Sequence, residues 1–339
     1  MKFLLIFLTL VLLSAALIRI FLKFASHWQP IDVPNQRSSH QVPTPRGGGM
    51  VFMVLWLLFV LLIYCFGEIT QSQFWLFNLA LPLVVIGYLD DHYSLNARWR
   101  FMTQILVAVL AVVLLHGVGD VFLGVWKIHL YPILLSSFAV LLLVWSTNLF
   151  NFMDGIDGIS GVEALFTLLP LGYWALDQGD SGLSIGAWGL AASVLGFLVW
   201  NWPKAKIFMG DAGSTALGFL IILFALMLEK THSVSIFNLL VCYGWFLFDA
   251  TLTLVRRIVA REPFYQAHRS HAYQRLQDCG WSHRKILKLI IICNSGLLVL
   301  GLWMYHDPAK APWAMALALV ELVLAYGYIE YKQPMFVKL

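Results

Sequence analysis

Long apolar stretches recur along the whole chain and are separated by polar segments. A membrane span needs about 20 apolar residues. That criterion predicts eleven spans, at residues 3–24, 48–67, 73–89, 101–117, 131–147, 160–176, 184–200, 214–229, 235–254, 287–305 and 312–330. Residues 119–131 instead alternate weakly between apolar and polar, which predicts a small hairpin between two spans. The pattern therefore indicates an all-α polytopic membrane protein.

The first apolar stretch allows two interpretations. It resembles a signal peptide with a cleavage site at Ser14-Ala15-Ala16, but its apolar run continues to Phe21 before Lys23. That length favours an uncleaved first span over a segment that is removed. We therefore treat residues 1–339 as a single integral-membrane domain.

Composition agrees with this class of protein. Of the 339 residues, 60% are hydrophobic and 12% are charged, whereas soluble domains contain about 25% charged residues. The net charge of +4 is too small to indicate a nucleic-acid partner. The four cysteines have no C-x-x-C spacing, so we expect neither a zinc site nor a disulfide framework.

The positions of Lys and Arg predict the orientation. With the N-terminus outside, 18 of the 22 Lys and Arg residues fall on one side of the eleven spans. Basic residues favour the cytoplasmic side of a membrane. The long polar segments lie on that same side, at residues 31–49, 90–100, 148–158, 202–214 and 256–288. We therefore expect a cytoplasmic active-site face and a periplasmic hairpin.

Residues 148–158 form the most polar stretch beside a span and contain two amides, two carboxylates and two glycines. Asp154 and Asp157 are three residues apart, so on a helix or tight turn they share a face. A carboxylate costs about 2.5–3.5 kcal/mol at a span centre, so acidic groups in such places usually mark function. A polar loop that merely ends a helix is the alternative interpretation.

Asp90-Asp91 directly follows the predicted span at residues 73–89. Adjacent carboxylates at a helix end can bind a divalent cation, or share a proton so that one acts as a base. Arg98 and Arg100 follow closely and are suited to holding phosphate. A polar helix end beside positive-inside arginines would have the same sequence.

Two further segments carry candidate ligands. Asp211, in Gly-Asp-Ala-Gly-Ser at the start of the eighth span, can cap that helix or bind a metal, and the backbone there suits phosphate. The longest cytoplasmic loop contains His268, Arg269 and His271. These histidines can bind metal, but the arginine between them favours donation to phosphate oxygens.

The first loop, residues 31–49, has three prolines and three glycines, which predict irregular backbone that opens into a helix. It does not match a Walker loop, because Gly-Lys-Ser/Thr is absent. Carboxylates, arginines and loop glycines on one side of the membrane together indicate Mg²⁺ and a phosphorylated substrate. A membrane site for such a substrate indicates that one reactant is a lipid.

Taken together, these segments resemble the polyprenyl-phosphate N-acetylhexosamine-1-phosphate transferases, a superfamily of the glycosyltransferase family 4 type. The resemblance covers nearly the whole chain. It rests on Pro34-Asn35-x-Arg37-Ser38-x-His40, Pro45-Arg46-Gly47-Gly48, Asp90-Asp91, Asn151-x-x-Asp154-Gly155-x-Asp157-Gly158, Gly210-Asp211-x-Gly213-Ser214 and His268-Arg269-x-His271. Each motif alone is weak, whereas the set is highly specific.

The resemblance implies roles for the site residues. Asp90 and Asp91 would form an acidic pair near Mg²⁺ (or Mn²⁺) and the lipid phosphate, with Asp91 and Asp211 as metal ligands. The catalytic candidates are Asp90, Asp91, Asp154 and Asp157, the last two in the nucleotide-sugar site. The substrate-binding candidates are Asn35, Arg37, His40, Arg46, Arg98, Asn148, Asn151, His268, Arg269 and His271.

The resemblance also indicates a branch of the superfamily. The peptidoglycan branch carries a triple-histidine loop and a lysine soon after the acidic pair, whereas this chain has His-Arg-Ser-His and two arginines. The O-antigen-initiating branch is therefore the expected one. It implies transfer of a sugar 1-phosphate from a UDP-activated N-acetylaminosugar to undecaprenyl phosphate, with release of UMP, at the bacterial inner membrane. The sugar, and a one-step or covalent route, stay open.

Three alternative functions follow, of which one is a membrane phosphatase that acts on lipid phosphate. A secondary transporter for an anionic solute also keeps charges near helix breaks, although it needs them near the midplane of the membrane. A phospho-N-acetylmuramoyl-pentapeptide transferase belongs to the peptidoglycan branch. Besides the two substrates and membrane lipid, a homodimer is compatible with the sequence, but lipid-facing surfaces decide the oligomeric state and the sequence does not fix it.

Overall fold

Long apolar sequence folds as helix throughout, because a helix satisfies its own backbone hydrogen bonds where water is absent. The computed structural model describes residues 2–24, 30–34, 42–263 and 268–336. The helices are α1 (Lys2–Phe24), α2 (Gly48–Cys65), α3 (Gln71–Asn78), α4 (Ala80–Tyr93), α5 (Ala97–Leu114), α6 (Pro132–Met153), α7 (Ile159–Asp177), α8 (Ser181–Asn201), α9 (Asp211–His232), α10 (Ile236–Cys242), α11 (Gly244–Val259), α12 (Ala272–Asp278), α13 (His283–His306) and α14 (Ala311–Lys332). The strands are β1 (Ile31–Asp32), β2 (Thr44–Pro45), β3 (Asp120–Leu123) and β4 (Trp126–His129).

The number of spans agrees with the sequence. In the described ranges, ten helical segments are long and apolar enough to cross a membrane, with α3 and α4 counted together. The pair α10 and α11 also qualifies but is bent by 79° at its break. Counting that pair as one broken span gives eleven and confirms the predicted all-α polytopic fold. The prediction of a continuous span at residues 235–254 missed the break, because neither proline nor a charged residue marks it.

Helix α9 forms the centre of the bundle. Of its spanning window, 94% is buried, against 17% for α1 at the periphery. It packs against α2, α4, α6 and α7. Its 22 residues correspond to about 33 Å of helix, so its two termini lie at opposite ends of the bundle.

The predicted hairpin is present at the end of the bundle where α9 ends. β3 and β4 pair antiparallel, with Asp120 opposite His129 and Leu123 opposite Trp126. Its backbone is tied to α9, because the Phe122 N–H donates to Glu229 Oε1 at 3.0 Å. The hairpin therefore lies at the opposite end of α9 from Asp211.

The first loop reaches the start of α9 through backbone contacts. The Phe208 N–H donates to the Pro45 carbonyl at 2.8 Å, and the Gly49 N–H donates to the Met209 carbonyl at 2.8 Å. A Cβ at position 49 would lie 2.5 Å from the Gly213 Cα. Glycine at position 49 therefore allows the starts of α2 and α9 to touch, and this contact brings Arg46 to the start of α9.

Candidate active site

A cleft opens at the end of the bundle where α4 and α6 end and α5 and α9 begin. Its volume is about 340 Å³, and it is lined by Arg46, Asp90, Asp91, Ser94, Leu95, Arg100, Asn151 and Asp211. Three of the predicted segments and the first loop therefore meet at one place, although Asp91 and Asp211 are 120 positions apart.

A tight turn between α4 and α5 shapes one wall of the cleft. Ser94 ends α4 in a left-handed conformation with φ 49°. Asn96 then caps α5, because its side-chain oxygen accepts the Arg98 N–H at 3.0 Å. Within the turn, the Leu95 N–H donates to Asp90 Oδ1 at 2.7 Å. The turn therefore brings the first turn of α5 back towards the acidic pair.

Asp90 and Asp211 face each other across one guanidinium nitrogen. Arg100 Nη1 donates to Asp90 Oδ2 at 2.7 Å and to Asp211 Oδ2 at 3.3 Å. Two carboxylates that converge on one positive group are arranged to share a cation, and the Arg100 side chain provides one here. This group is the electrostatic centre of the cleft.

The structure distinguishes the two arginines that follow the acidic pair. Arg98, the predicted substrate ligand, is exposed, and it is not among the residues that line the cleft. Arg100 lies two positions further along α5 and reaches Asp90 instead. Because successive helix positions point in different directions, the phase of α5 decides which arginine enters the cleft.

Asp91 has different surroundings from its neighbour Asp90. Its side chain is 2% exposed, and its oxygens accept the Asp211 backbone N–H at 3.0 and 3.2 Å. A Cβ at position 210 would lie 2.5 Å from Asp91 Oδ2, so Gly210 makes room for this contact. Asp91 therefore caps the start of α9, whereas Asp90 faces the charges of the cleft.

The two amides near the end of α6 also separate. Asn151 Nδ2 donates to Asp211 Oδ1 at 3.0 Å and to Ser214 Oγ at 2.9 Å. It therefore holds the Asp211 side chain in place. Asn148 Nδ2 instead donates to Gln104 Oε1 at 2.7 Å. Asn148, a predicted substrate ligand, thus joins α6 to α5 and does not line the cleft.

Asp154 is the C-cap residue of α6. The pKa of Asp154 is raised to about 7, mainly by burial away from water and in smaller part by the nearby Asp211 carboxylate. The following residue, Gly155, leaves room for the Tyr273 hydroxyl, which donates to the Phe152 carbonyl at 3.2 Å. The turn after α6 is therefore packed against α12.

Asp157 lies in a second pocket, with a volume of about 710 Å³. Its Oδ2 accepts the Ala205 N–H at 3.0 Å and lies 3.2 Å from His283 Nδ1. The lining residues are Val42, Thr44, Asp157, Pro203, Lys204, Ala205, Phe208, Ser282, His283 and Arg284. Sequence reasoning missed His283, Lys204 and Arg284, because they belong to no motif and resemble ordinary positive-inside residues.

The predicted histidine segment, residues 268–271, packs behind the turn after α6. His271 is 4% exposed, and its Nδ1 lies 3.7 Å from Asp249 Oδ1. Arg269 Nη2 donates to Asp278 Oδ1 at 2.9 Å. The rings of His268 and His271 are tilted by 38° against each other, with centroids 4.9 Å apart. None of the three lines the acidic cleft, so their predicted contact with phosphate stays a prediction.

The remaining predicted ligands belong to the first loop. Asn35, Arg37 and His40 lie outside the described residues. Arg46 is described and lies at the edge of the cleft, where Nη1 is 3.7 Å from Asp91 Oδ1. Its Nη2 donates to Asp32 Oδ2 at 2.7 Å. Asp32 therefore holds Arg46 beside the acidic group.

The donor atoms of the cleft fit a divalent cation that arrives with a substrate. Within the described ranges, no group of three His, Cys, Asp or Glu side chains is arranged to hold a metal alone. Mg²⁺ usually takes one or two carboxylates together with substrate phosphates. Asp90 and Asp211 supply two such oxygen donors. The predicted use of Asp91 fits less well, because its oxygens already accept the Asp211 N–H.

The structure is thus an all-helical membrane bundle with carboxylates and arginines in one cleft at its end. Residues 73–229 match the family model described as glycosyl transferase family 4. The chain is 31% identical over 298 residues to the "Probable undecaprenyl-phosphate N-acetylglucosaminyl 1-phosphate transferase" of Bacillus subtilis (strain 168), covering 84% of this chain and 79% of the relative.

Two further relatives agree with this match. The undecaprenyl-phosphate alpha-N-acetylglucosaminyl 1-phosphate transferase of Escherichia coli (strain K12) is 28% identical over 310 residues, covering 88% of this chain and 83% of that protein. The protein of the same name from Yersinia pestis is 27% identical over 333 residues, with 94% and 88% covered. The chain therefore belongs to glycosyl transferase family 4, in the polyprenyl-phosphate N-acetylhexosamine-1-phosphate transferase superfamily, and is a phosphoglycosyl transferase.

Proposed function

We propose that this protein transfers an N-acetylaminosugar 1-phosphate from a UDP-sugar to undecaprenyl phosphate. The products are UMP and a lipid-linked diphospho-sugar. The names of the relatives support this reaction. The observation that carries it is the facing of Asp90 and Asp211 across Arg100 at the end of a membrane bundle, where a lipid phosphate and a soluble nucleotide can meet.

In the proposed reaction, an oxygen of the lipid phosphate attacks the β-phosphorus of the UDP-sugar. The bond from that phosphorus to the bridging oxygen breaks, and UMP leaves with the oxygen. The second pKa of a phosphate monoester is about 6, so the lipid phosphate that acts as the nucleophile is mostly dianionic at neutral pH. A general base therefore contributes little, and positioning of the reactants contributes more. A covalent aspartyl-phosphate route is the alternative.

The residues of the cleft would have different roles in this reaction. Asp90 and Asp211 would hold Mg²⁺ or Mn²⁺, which would supply neutralisation of the diphosphate charge. Arg100 and Arg46 present guanidinium groups to phosphate oxygens, for which the planar fork is well suited. Asn151 keeps the Asp211 carboxylate oriented through its 3.0 Å hydrogen bond.

The second pocket is suited to the nucleoside and its phosphates. Phe208 offers an aromatic ring on which a base can stack, and Lys204 and Arg284 supply positive charge. Asp157 offers acceptor oxygens for sugar or base N–H and O–H groups. Phe208 is close in sequence to Asp211, so a nucleotide bound there extends its diphosphate towards the acidic cleft.

We propose that the acidic end faces the cytoplasm of the bacterial inner membrane, in line with the distribution of Lys and Arg. Cysteines placed at Asn96 and Ser270 should then react from the cytoplasmic side, and cysteines at Ser181 and Ser233 from the outside. Labelling of the Ser270 variant from outside would overturn this orientation. Ser39, a further predicted cytoplasmic position, lies outside the described residues.

The identity of the transferred sugar is the most specific part of the proposal. N-acetylglucosamine is the first candidate because the relatives' names contain it, and N-acetylfucosamine and N-acetylquinovosamine are alternative N-acetylaminosugars. The product would start O-antigen or another cell-surface polysaccharide. We expect no UMP from a UDP-muramoyl-pentapeptide, the donor of the peptidoglycan branch.

One experiment tests the reaction. Purified protein is incubated with undecaprenyl phosphate, Mg²⁺ and each UDP-sugar in turn, and UMP and lipid-linked product are measured. We expect both products in equal amounts with at least one N-acetylated aminosugar donor. The proposal fails if no donor gives UMP, or if UMP appears without lipid product. Accumulation of an intact nucleotide sugar inside proteoliposomes would favour the transporter.

A further inference from the structure

The short helix α12 lies between the second pocket and the last helix of the bundle. Tyr273 and Gln277 are four positions apart and therefore share one face of α12. The Tyr273 hydroxyl donates to the Phe152 carbonyl at 3.2 Å. Gln277 Nε2 lies 3.2 Å from His283 Nε2, and His283 Nδ1 lies 3.2 Å from Asp157 Oδ2. This face of α12 therefore supports the turn after α6 and the Asp157 side of the second pocket.

The opposite face of α12 carries Arg275, which is two positions, or about 200° of helix rotation, from each of the residues that face the site. Its side chain is 3% exposed. Arg275 Nη1 donates to Glu330 Oε2 at 2.6 Å and to the Gln333 carbonyl at 2.9 Å. The guanidinium carbon lies 4.8 Å from the centre of the Tyr326 ring. All three partners belong to α14 or to its C-cap, so this face anchors α12 to the end of α14.

Glu330 is the charged partner in that anchor. Arg275 Nε and Nη2 have no hydrogen-bond partner among the described residues, and a buried guanidinium depends strongly on a carboxylate that compensates its charge. Glu330 also accepts Arg256 Nη1 and Nη2 at 2.7 and 2.8 Å, from the last turn of α11. One carboxylate on α14 therefore joins the ends of α11 and α12.

We propose that Glu330 is a positioning residue that fixes α12 against α14 through Arg275 and thereby holds the Asp157 side of the nucleotide pocket. The start of α12 is held separately, because the Ala272 N–H donates to both Asp249 oxygens at 2.9 Å. Glu330 therefore sets how α12 turns about that start. It lines neither pocket, so it acts on the reaction through α12 alone, and this role rests on the proposed function.

The first test compares the two substrates. Glu330→Ala should raise the KM for the UDP-sugar by about tenfold, the equivalent of one or two weakened hydrogen bonds, because the nucleotide pocket loses its support. The KM for undecaprenyl phosphate and kcat should stay within about twofold, because α12 does not line the acidic cleft. A role confined to stability would lower the amount of folded protein and leave both KM values unchanged, which would overturn the proposal.

Further variants check that Glu330 acts through Arg275. Arg275→Met should reproduce the KM increase, and the double variant should be no worse than either single variant. Glu330→Asp keeps the charge and should lose less than about threefold. Asp120→Ala is the matched control, because it also removes a carboxylate that pairs with two basic side chains, Lys127 and His129, at the other end of the bundle. It should change neither KM. Additive losses, or equal increases for both substrates, would overturn the proposal.

The second test does not need activity. Hydrogen exchange at the backbone amides of residues 272–278 in the full-length protein reports how firmly α12 is held. Glu330→Ala and Arg275→Met should speed this exchange by about tenfold, whereas Asp120→Ala leaves it unchanged. Where Glu330→Ala does not fold, Glu330→Gln preserves volume, removes the charge and is expected to speed exchange in the same segment.

Unchanged exchange in α12 for Glu330→Gln and Arg275→Met would contradict the proposal. If the wild-type protein released no UMP from any donor, the proposed function would fail, while the exchange rates still decided whether Glu330 anchors α12.

Discussion

The two ends of α9 each present a carboxylate, and their surroundings differ. Asp211, at the start of the helix, faces Asp90, Arg100 and Asn151 at the border of an open cleft. Glu229, near the other end, is 4% exposed. Its Oε1 accepts the Phe122 N–H at 3.0 Å and the Ile236 N–H at 3.4 Å.

This difference shows that burial of a carboxylate does not by itself mark a site. Glu229 Oε1 accepts backbone N–H groups of the hairpin and of the first residue of α10, which is a structural use, and its Oε2 has no partner among the described residues. Asp211 converges with a second carboxylate on one guanidinium group, an arrangement that a cation and phosphates can enter. The partner atoms, and access from water, distinguish the two roles. The predictions below test that distinction.

The largest effect is expected at the start of α9. Asp211→Asn should reduce turnover by about a thousandfold and weaken the dependence on Mg²⁺, because a neutral amide is a poorer ligand for a hard cation. UMP release at saturating substrates measures it, with the melting temperature as a check on folding. Near-normal activity in this variant would remove Asp211 from the metal site.

Asp90→Asn separates electrostatic positioning from proton removal. If Asp90 positions a cation and the lipid phosphate, the loss should be about a hundredfold and independent of pH. If Asp90 removes a proton, activity should recover strongly above about pH 8, where the lipid phosphate is ionised without help. The pH–rate profiles of the variant and the wild type decide between these two roles. We expect the variant to lose the same factor in rate at every pH.

The two arginines after the acidic pair form a matched comparison on one helix. Arg100→Ala should raise the KM for lipid phosphate by about tenfold, the lower end of what a hydrogen bond to a charged group supplies. Arg98→Ala should change it by less than about twofold, because an exposed side chain contributes little. Equal increases in KM for the two variants would support Arg98 as a substrate ligand, the role that the sequence predicts.

Burial of Asp154 predicts a pH effect on stability. The pKa of the Asp154 carboxyl is raised to about 7 in the folded protein, whereas its pKa in the unfolded chain is about 4. Its contribution to stability is therefore fully present below the unfolded pKa and is lost as the pH rises through the folded pKa. In the absence of divalent cation, the melting temperature of Asp154→Asn relative to that of the wild type should therefore rise by a few degrees from about pH 5 to about pH 8. If the two melting temperatures differed by the same amount at every pH in that range, the raised pKa of Asp154 would be contradicted.

The smallest effect on activity is expected at the other end of α9. Glu229→Ala leaves the part-buried Phe122 N–H without its acceptor, which costs up to about 1–3 kcal/mol. The melting temperature should fall, while kcat/KM per folded molecule stays unchanged. A selective loss of activity without loss of stability would show that this end takes part in the reaction.

Sequence predicted the parts of this molecule that depend on composition and short spacing. The eleven spans followed from apolar length, and the hairpin followed from alternation. The predicted cleft residues Asp90, Asp91, Arg46, Asn151 and Asp211 do meet in space, as motifs on one side of a membrane suggested.

The remaining features depend on helix phase and tertiary contacts. Asn148 and Asn151 are one turn apart on α6, yet only the second reaches Asp211, because the first meets Gln104 of α5. The break between α10 and α11 lies at Tyr243, where neither a proline nor a charged residue marks it in the sequence. The unequal roles of Asp90 and Asp91 follow from the position of the Asp211 N–H.

The most direct test of the account is the binding of a divalent cation. Mn²⁺ can replace Mg²⁺ and gives an electron paramagnetic resonance signal, which reports its bound fraction with and without UDP-sugar. We predict one ordered Mn²⁺ in the presence of donor, lost in Asp211→Asn and retained in Glu229→Gln. Equal binding by the wild type and Asp211→Asn would contradict the assignment of the active site to the start of α9.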